Sequence, residues 1–133
     1  MKNILVAYDG EAPAKRALEM AIDLTKKFDG ALSVVSVVPQ RPGRSPMDPW
    51  DDRSVHAQQL IEACDILARA GIQAEMLEPA GDPAVAIERI ADSGHFDTIV
   101  LGSRGLGAVA RFLQGSVSEH VATHTDATVV IAH

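Results

Sequence analysis

Short apolar, β-branched runs alternate along this chain with longer segments whose apolar residues recur every three or four positions. No other feature constrains the fold as tightly. Ile4-Leu5-Val6-Ala7-Tyr8 has no polar alternation, as expected of a strand buried on both faces, and it stops at Asp9-Gly10. Pro13 suits the first turn of a helix, where its missing N–H is no loss. Ala14, Ala17, Leu18, Ala21, Leu24, Thr25 and Phe28 then mark one apolar helical face, and Asp29-Gly30 ends it. Ala31 to Val38 reads as a second strand closed by Pro39. Residues 40–52 hold three prolines, a glycine and mixed charge, and read as a mobile loop.

From Arg53 the stripe Ala57, Leu60, Ile61, Cys64, Leu67, Ala68 predicts a second helix, with Gly71 as its stop. Ile72 to Leu77 alternates apolar and polar residues, as a strand near a sheet edge does. Asp82-Pro83 opens a third helix to about Ser93, as an N-cap followed by proline at the first helical position. Thr98 to Leu101 is another fully apolar strand. A glycine-rich segment then leads into a fourth helix to about Thr123, and Thr128 to Ala132 forms the last strand. Five strands joined by crossover helices imply an α/β fold with one doubly wound parallel sheet and right-handed connections. Ligands of such sheets bind beyond the carboxyl ends of the strands, where strand order reverses. The first and fourth strands are the most continuously apolar and are expected to be central neighbours flanking that crevice.

Length and charge narrow the class. A chain of 133 residues, 47% hydrophobic and 23% charged, is expected to form a single domain over 1–133. The lone Cys64, read as a core residue on its apolar stripe, fits a reducing compartment. No apolar run nears the ~20 residues of a membrane span, and the start of the chain lacks signal-peptide character, so a cytoplasmic protein with no membrane partner is expected. A net charge of −6 and five scattered aromatics argue against nucleic acid as a partner.

Charge is nevertheless uneven. Between Asp97 and Glu119 there is no acid, while Arg104 and Arg111 both fall there with four of the ten glycines. Glycines let backbone N–H groups approach a ligand closely, and the helix opened at Gly115-Ser116 offers N–H groups and a dipole that favour an anion. Ser116 and Ser118 add hydroxyl donors. Phosphate is the ligand these features suit; the competing reading makes the glycines tight turns and a helix cap. Spacing and lysine content exclude several phosphate sites. All four lysines lie at or before Lys27, so a P-loop, a kinase ATP site and a phospho-acceptor receiver each lack a required lysine. The turn after the first strand, Asp9-Gly10-Glu11-Ala12, is no dinucleotide fingerprint, and no G-x-S-x-G elbow occurs.

What is present is Gly102-x2-Gly105-x9-Gly115-Ser116. It resembles the G-x2-G-x9-G-[S/T] nucleotide-binding motif of universal stress proteins. The resemblance extends over the chain, from Ile4–Gly10 through the Val-rich second strand to Thr128–Ile131. It implies a flavodoxin-like, Rossmann-like sheet of order 3-2-1-4-5 and the ATP-binding branch of the family. It puts Asp9 near the ribose hydroxyls or a metal on the phosphates; the alternative, an N-cap for the first helix, can coexist. It lays Val37 against adenine, where an ordinary core valine is the competing reading, and brackets the base with Ala7 and Leu101. It implies backbone contacts to ribose and phosphates from Gly102, Gly105, Gly115, Ser116 and Val117, beside which Ser118 is a candidate hydroxyl donor. Arg104 either pairs with phosphate or points to solvent. Family members also form dimers through the last strand, so a homodimer through Thr128–Ala132 is expected.

The function implied is a stress-response regulator that binds ATP, or ADP or AMP, with Mg²⁺ and acts on a downstream protein. Slow ATP hydrolysis or autophosphorylation is the alternative, although no general base is evident near the motif. His120 and His124 are four apart on a helix, but no third ligand accompanies them and the H-E-x-x-H pattern fails, so capping or solvent-facing histidines are expected.

Overall fold

The computed structural model describes residues 1–37, 52–81, 83–93, 95–102 and 127–132. Eight elements occupy them: β1 (Asn3–Ala7), α1 (Ala12–Phe28), β2 (Ala31–Val35), α2 (Asp52–Ala70), β3 (Ala74–Leu77), α3 (Pro83–Asp92), β4 (Thr98–Gly102) and β5 (Thr128–Ala132). The strands form one parallel sheet of order β3-β2-β1-β4-β5. Leu5 stands opposite Ser33 on one side and Ile99 on the other, so β1 lies between β2 and β4 as its continuous apolar sequence implied. The α/β fold class and the strand order are those expected.

Side chains alternate across the sheet and fill two cores. Ile4, Val6, Tyr8, Leu32, Val34 and Val100 pack beneath α1 and α2, with Ala17, Leu18, Ala21, Ala63 and Leu67 supplied by the helices. Leu5, Val35, Ile99 and Leu101 turn to the opposite face, where Ile87 and Ala91 of α3 cover them. Burial of such aliphatic side chains contributes about 1.5–3 kcal/mol each, reckoned from apolar area removed from water. β1, β2 and β3 step one way across the sheet and β4, β5 the other. Right-handed crossovers therefore send α1 and α2 to one face and α3 to the other.

Helix ends follow their residues. Pro13 occupies the first turn of α1, and Asp29 closes it in the left-handed region at φ 52°, with the Gly30 N–H donating to the Thr25 carbonyl at 3.0 Å. Lys26 and Lys27 sit in the last turn, where positive charge suits the dipole. At the amino edge of the sheet Asp97 joins the starts of β1 and β4. Its Oδ2 accepts from the Lys2 and Asn3 N–H groups at 2.7 and 3.0 Å, and its Oδ1 from the Thr98 hydroxyl at 2.8 Å.

Several expectations are corrected. The inward face of α2 carries His56, Ala63 and Leu67, with Leu60, Ile66 and Ala70 half-buried. Ala57, Ile61 (62% exposed), Cys64 and Ala68 face outward, so Cys64 is not a core residue. Two apolar rows run along this helix, and the row that packs is the one interrupted by a polar His56. Phe28 is likewise exposed at the end of α1, while Ile22 is buried. β2 ends at Val35 rather than Val38, and Asp52, placed in the loop, is the first residue of α2. The remainder of loop 40–52, including Trp50, the fourth helix, His120 and His124 lie outside the described residues. No helix among the described residues is long and apolar enough to cross a membrane.

Candidate functional site

Strand order reverses between β1 and β4, and beyond the carboxyl ends of such a pair is where sheets of this kind bind ligands. Ala7 ends β1, Gly102 ends β4, and the β1–β2 register sets Ala7 opposite Val35, so Asp9 and Val37 follow on the same rim. The apolar residues assigned to the base come together. Ala7 and Val37 are half-buried and pack on the second-face core to which Leu101 belongs. Leu101 is 3% exposed, so Ala7 and Val37 present the apolar surface of this rim.

Asp9 is exposed, and its Oδ1 accepts from the Glu11 N–H at 2.9 Å, an Asx turn into α1. The N-cap itself is Glu11, with an extended backbone and no side-chain cap bond, which corrects the placing of Asp9 as the cap. Asp9 Oδ2 has no partner among the described residues and can accept from a hydroxyl or face a cation. Gly10 follows at φ +82°, in the left-handed region that favours glycine, and Gln59 of α2 lies against it.

Gly102 is held for a reason independent of any ligand. A Cβ there would lie 2.7 Å from the carbonyl carbon of Pro13, so the first turn of α1 sits directly on the end of β4. That contact brings the helix start and the entry to the glycine-rich segment together. Arg104, Gly105, Gly115, Ser116, Val117 and Ser118 lie outside the described residues.

Charged groups line the α2 side. The Tyr8 hydroxyl donates to Glu62 Oε2 at 3.5 Å, and Lys15 Nζ stands 3.5 Å from Glu62 Oε1. Burial and the neighbouring Glu62 carboxylate push the Tyr8 phenol up to about 12, so it remains a neutral donor at physiological pH. A second chain of contacts went unread in the sequence. Ser36 Oγ lies 3.2 Å from His56 Nδ1, and His56 Nε2 lies 3.1 Å from Glu78 Oε1. Ser36 and His56 are 1% and 7% exposed. A polar residue in register with Ala63 and Leu67 on the packing row of α2 is the signal available in the sequence. The trio has the composition of a nucleophile with base and acid, but a hydroxyl this buried reaches no substrate. No group of three or more metal-ligating side chains assembles among the described residues.

Known proteins share this architecture. A relative named as a universal stress protein, from Staphylococcus haemolyticus, is 32% identical over 138 residues, spanning 98% of this chain and 83% of its own. A universal stress protein crystallised in complex with cAMP superposes with a TM-score of 0.70 at 25% identity, covering 99% of this chain and 97% of that one. One from Archaeoglobus fulgidus, in complex with dAMP, has the same fold, with a TM-score of 0.70 at 24% identity over 100% of this chain and 98% of its own. Residues 1–133 match the model of the universal stress protein family, and the chain belongs to that family.

Proposed function

We propose that this chain, acting as one domain, is a cytoplasmic regulatory protein that binds an adenine nucleotide, ATP or ADP or AMP, with Mg²⁺, and works as a homodimer on a downstream protein. The observation that carries the reading is the rim itself. The strand order reverses between β1 and β4, which brings Asp9 and Gly102 to the end of the sheet where such folds bind ligands, and the acid-free, glycine-rich segment with Arg104 continues from Gly102. The chemistry of the rim suits each part of the ligand. Ala7 and Val37 offer apolar surface to a base, and Asp9 Oδ2, without a partner among the described residues, offers an acceptor to ribose or a ligand to Mg²⁺. Gly105, Gly115, Ser116, Val117 and Ser118 supply donors for phosphates. The cAMP and dAMP held by structural neighbours support adenine as the base.

Dimer formation rests on β5, which pairs with β4 on one side and is the edge of the sheet on the other, with Val129, Val130 and Ile131 half-buried. The experiment is direct. Acid precipitation of untreated protein is expected to release adenine nucleotide, and ATP–Mg²⁺ to raise the melting temperature; absence of both effects rejects the reading. Gly115→Val is expected to abolish binding with the fold intact. Sedimentation is expected to give a dimer, and a monomer at all concentrations removes that part alone.

A further inference from the structure

Ser36, His56 and Glu78 come from three different segments and meet at one level of the fold. Ser36 follows β2, His56 lies in the second turn of α2, and Glu78 follows β3. The Ser36 N–H donates to the Leu77 carbonyl at 2.9 Å, which fixes the ends of β2 and β3 to each other. His56 then ties both to the helix, through Nδ1 to Ser36 and through Nε2 to Glu78. A carboxylate only accepts, so Nε2 carries a proton toward Glu78; Nδ1 of a neutral ring then accepts from the Ser36 hydroxyl, and that of a charged ring donates to the Ser36 oxygen. Every polar atom of the imidazole is thereby satisfied within a buried setting, which such a group requires. The residue after Ser36 is Val37, half of the apolar rim of the crevice. Three residues beyond His56 on the same helix, Gln59 stands against Gly10 on the other part of the rim.

We infer that His56 is a positioning residue for the base side of the nucleotide crevice, holding Ser36, and through it Val37, at the height a flat base requires. This rests on the adenine-nucleotide reading and adds a residue that touches no ligand. Removing the imidazole leaves the Ser36 hydroxyl buried without its partner and frees the end of β2 to shift. An angstrom of misplacement is enough to loosen contact with a planar group.

The test compares AMP and ATP by calorimetry on the full chain. His56→Ala is expected to weaken both by about tenfold, the ratio that losing one hydrogen bond in a buried network brings. The loss falls equally on the two probes because they share base and ribose. His56→Asn, whose amide stands where Nδ1 does, is expected to restore most of the affinity; His56→Gln, which reaches only toward Glu78, is not. Ser36→Ala removes one oxygen and gives the same equal loss should His56→Ala fail to fold. A loss confined to ATP places the effect at the phosphates and overturns the inference, as do unchanged affinities in a folded variant. Equal recovery by Asn and Gln also overturns it, since bulk alone then suffices. If wild-type protein binds neither probe, the nucleotide reading itself falls, whereas binding by wild type with unaffected variants removes only the role of His56.

Discussion

Gly102 lies so close to Pro13 that a Cβ on it would meet the Pro13 carbonyl carbon at 2.7 Å and oxygen at 2.8 Å, both main-chain atoms of the first turn of α1. The first glycine of the Gly102-x2-Gly105-x9-Gly115-Ser116 pattern is therefore a packing requirement. Gly102→Ala is expected to cost about 1–3 kcal/mol, because the start of α1 must lift from β4. Urea unfolding would show it as a lower midpoint with unchanged slope. Gly71 provides the contrast: at φ +72° with nothing within 4 Å, its alanine variant meets backbone strain alone, about 1 kcal/mol. If Gly102→Ala proves the milder of the two, the contact with Pro13 is not limiting. Loss of nucleotide in a Gly102 variant would reflect the seating of α1 as much as any contact to phosphate.

The sheet was legible because both faces of β1 and β4 are buried, which leaves continuous apolar runs that only a central parallel strand explains. The half-exposed alternation of β3 likewise marked an edge. The rim followed from topology, since the turn after β1 and the end of β4 must meet once those strands are neighbours. The phase of α2 was legible only in part. Leu67 of the apolar stripe is buried and Leu60 half-buried, but Ile61 and Cys64 are exposed and the buried row includes the polar His56. The contacts of His56 join residues 20 and 22 positions away, and no local period encodes them.

Gly10, in the turn between β1 and α1, lies against Gln59 of α2. A Cβ at Gly10 would lie 2.8 Å from Gln59 Cγ, and the backbone there is at φ +82°. Gly10→Ala is expected to cost about 1–2 kcal/mol from the backbone conformation, plus the displacement of Gln59. In a Gln59→Ala background the collision vanishes and the backbone strain remains. A double-mutant cycle should therefore give a coupling of about 0.5–1 kcal/mol in stability. Strict additivity would mean that Gln59 swings aside freely.

Tyr8 is the single tyrosine of the chain, so ultraviolet absorbance follows its ionisation alone. Burial first, then the Glu62 carboxylate, holds the phenol near 12 in the folded protein against 10.0 unfolded. The native state thus keeps a proton that the unfolded state releases. This contribution to stability is complete below pH 10 and is lost as pH rises toward 12. Glu62→Gln is expected to lower the phenol's midpoint while leaving it above 10, because burial remains. A midpoint at the unfolded value in the variant would show that Glu62, not burial, dominates.

Asp97 staples β1 to β4 at the edge of the sheet remote from the crevice, accepting from the Lys2 and Asn3 N–H groups and from the Thr98 hydroxyl. Partial desolvation works against its charge, but those hydrogen bonds outweigh it and hold the carboxyl below its ordinary 3.8. Asp97→Asn turns one acceptor oxygen into an N–H₂ that faces donors or must rotate away. The side chain is exposed and water competes for it, so the cost is expected to stay at about 1 kcal/mol. Thermal melting checks this, and acid supplies the second readout. A folded pKa below the unfolded one contributes stability that is present above 3.8 and disappears as pH falls through the lower folded value. The difference in melting temperature between wild type and Asp97→Asn should therefore hold steady near neutrality and narrow on acidification. A difference that stays constant into strong acid would mean that the carboxylate's charge plays no part, and that the staple works by shape alone.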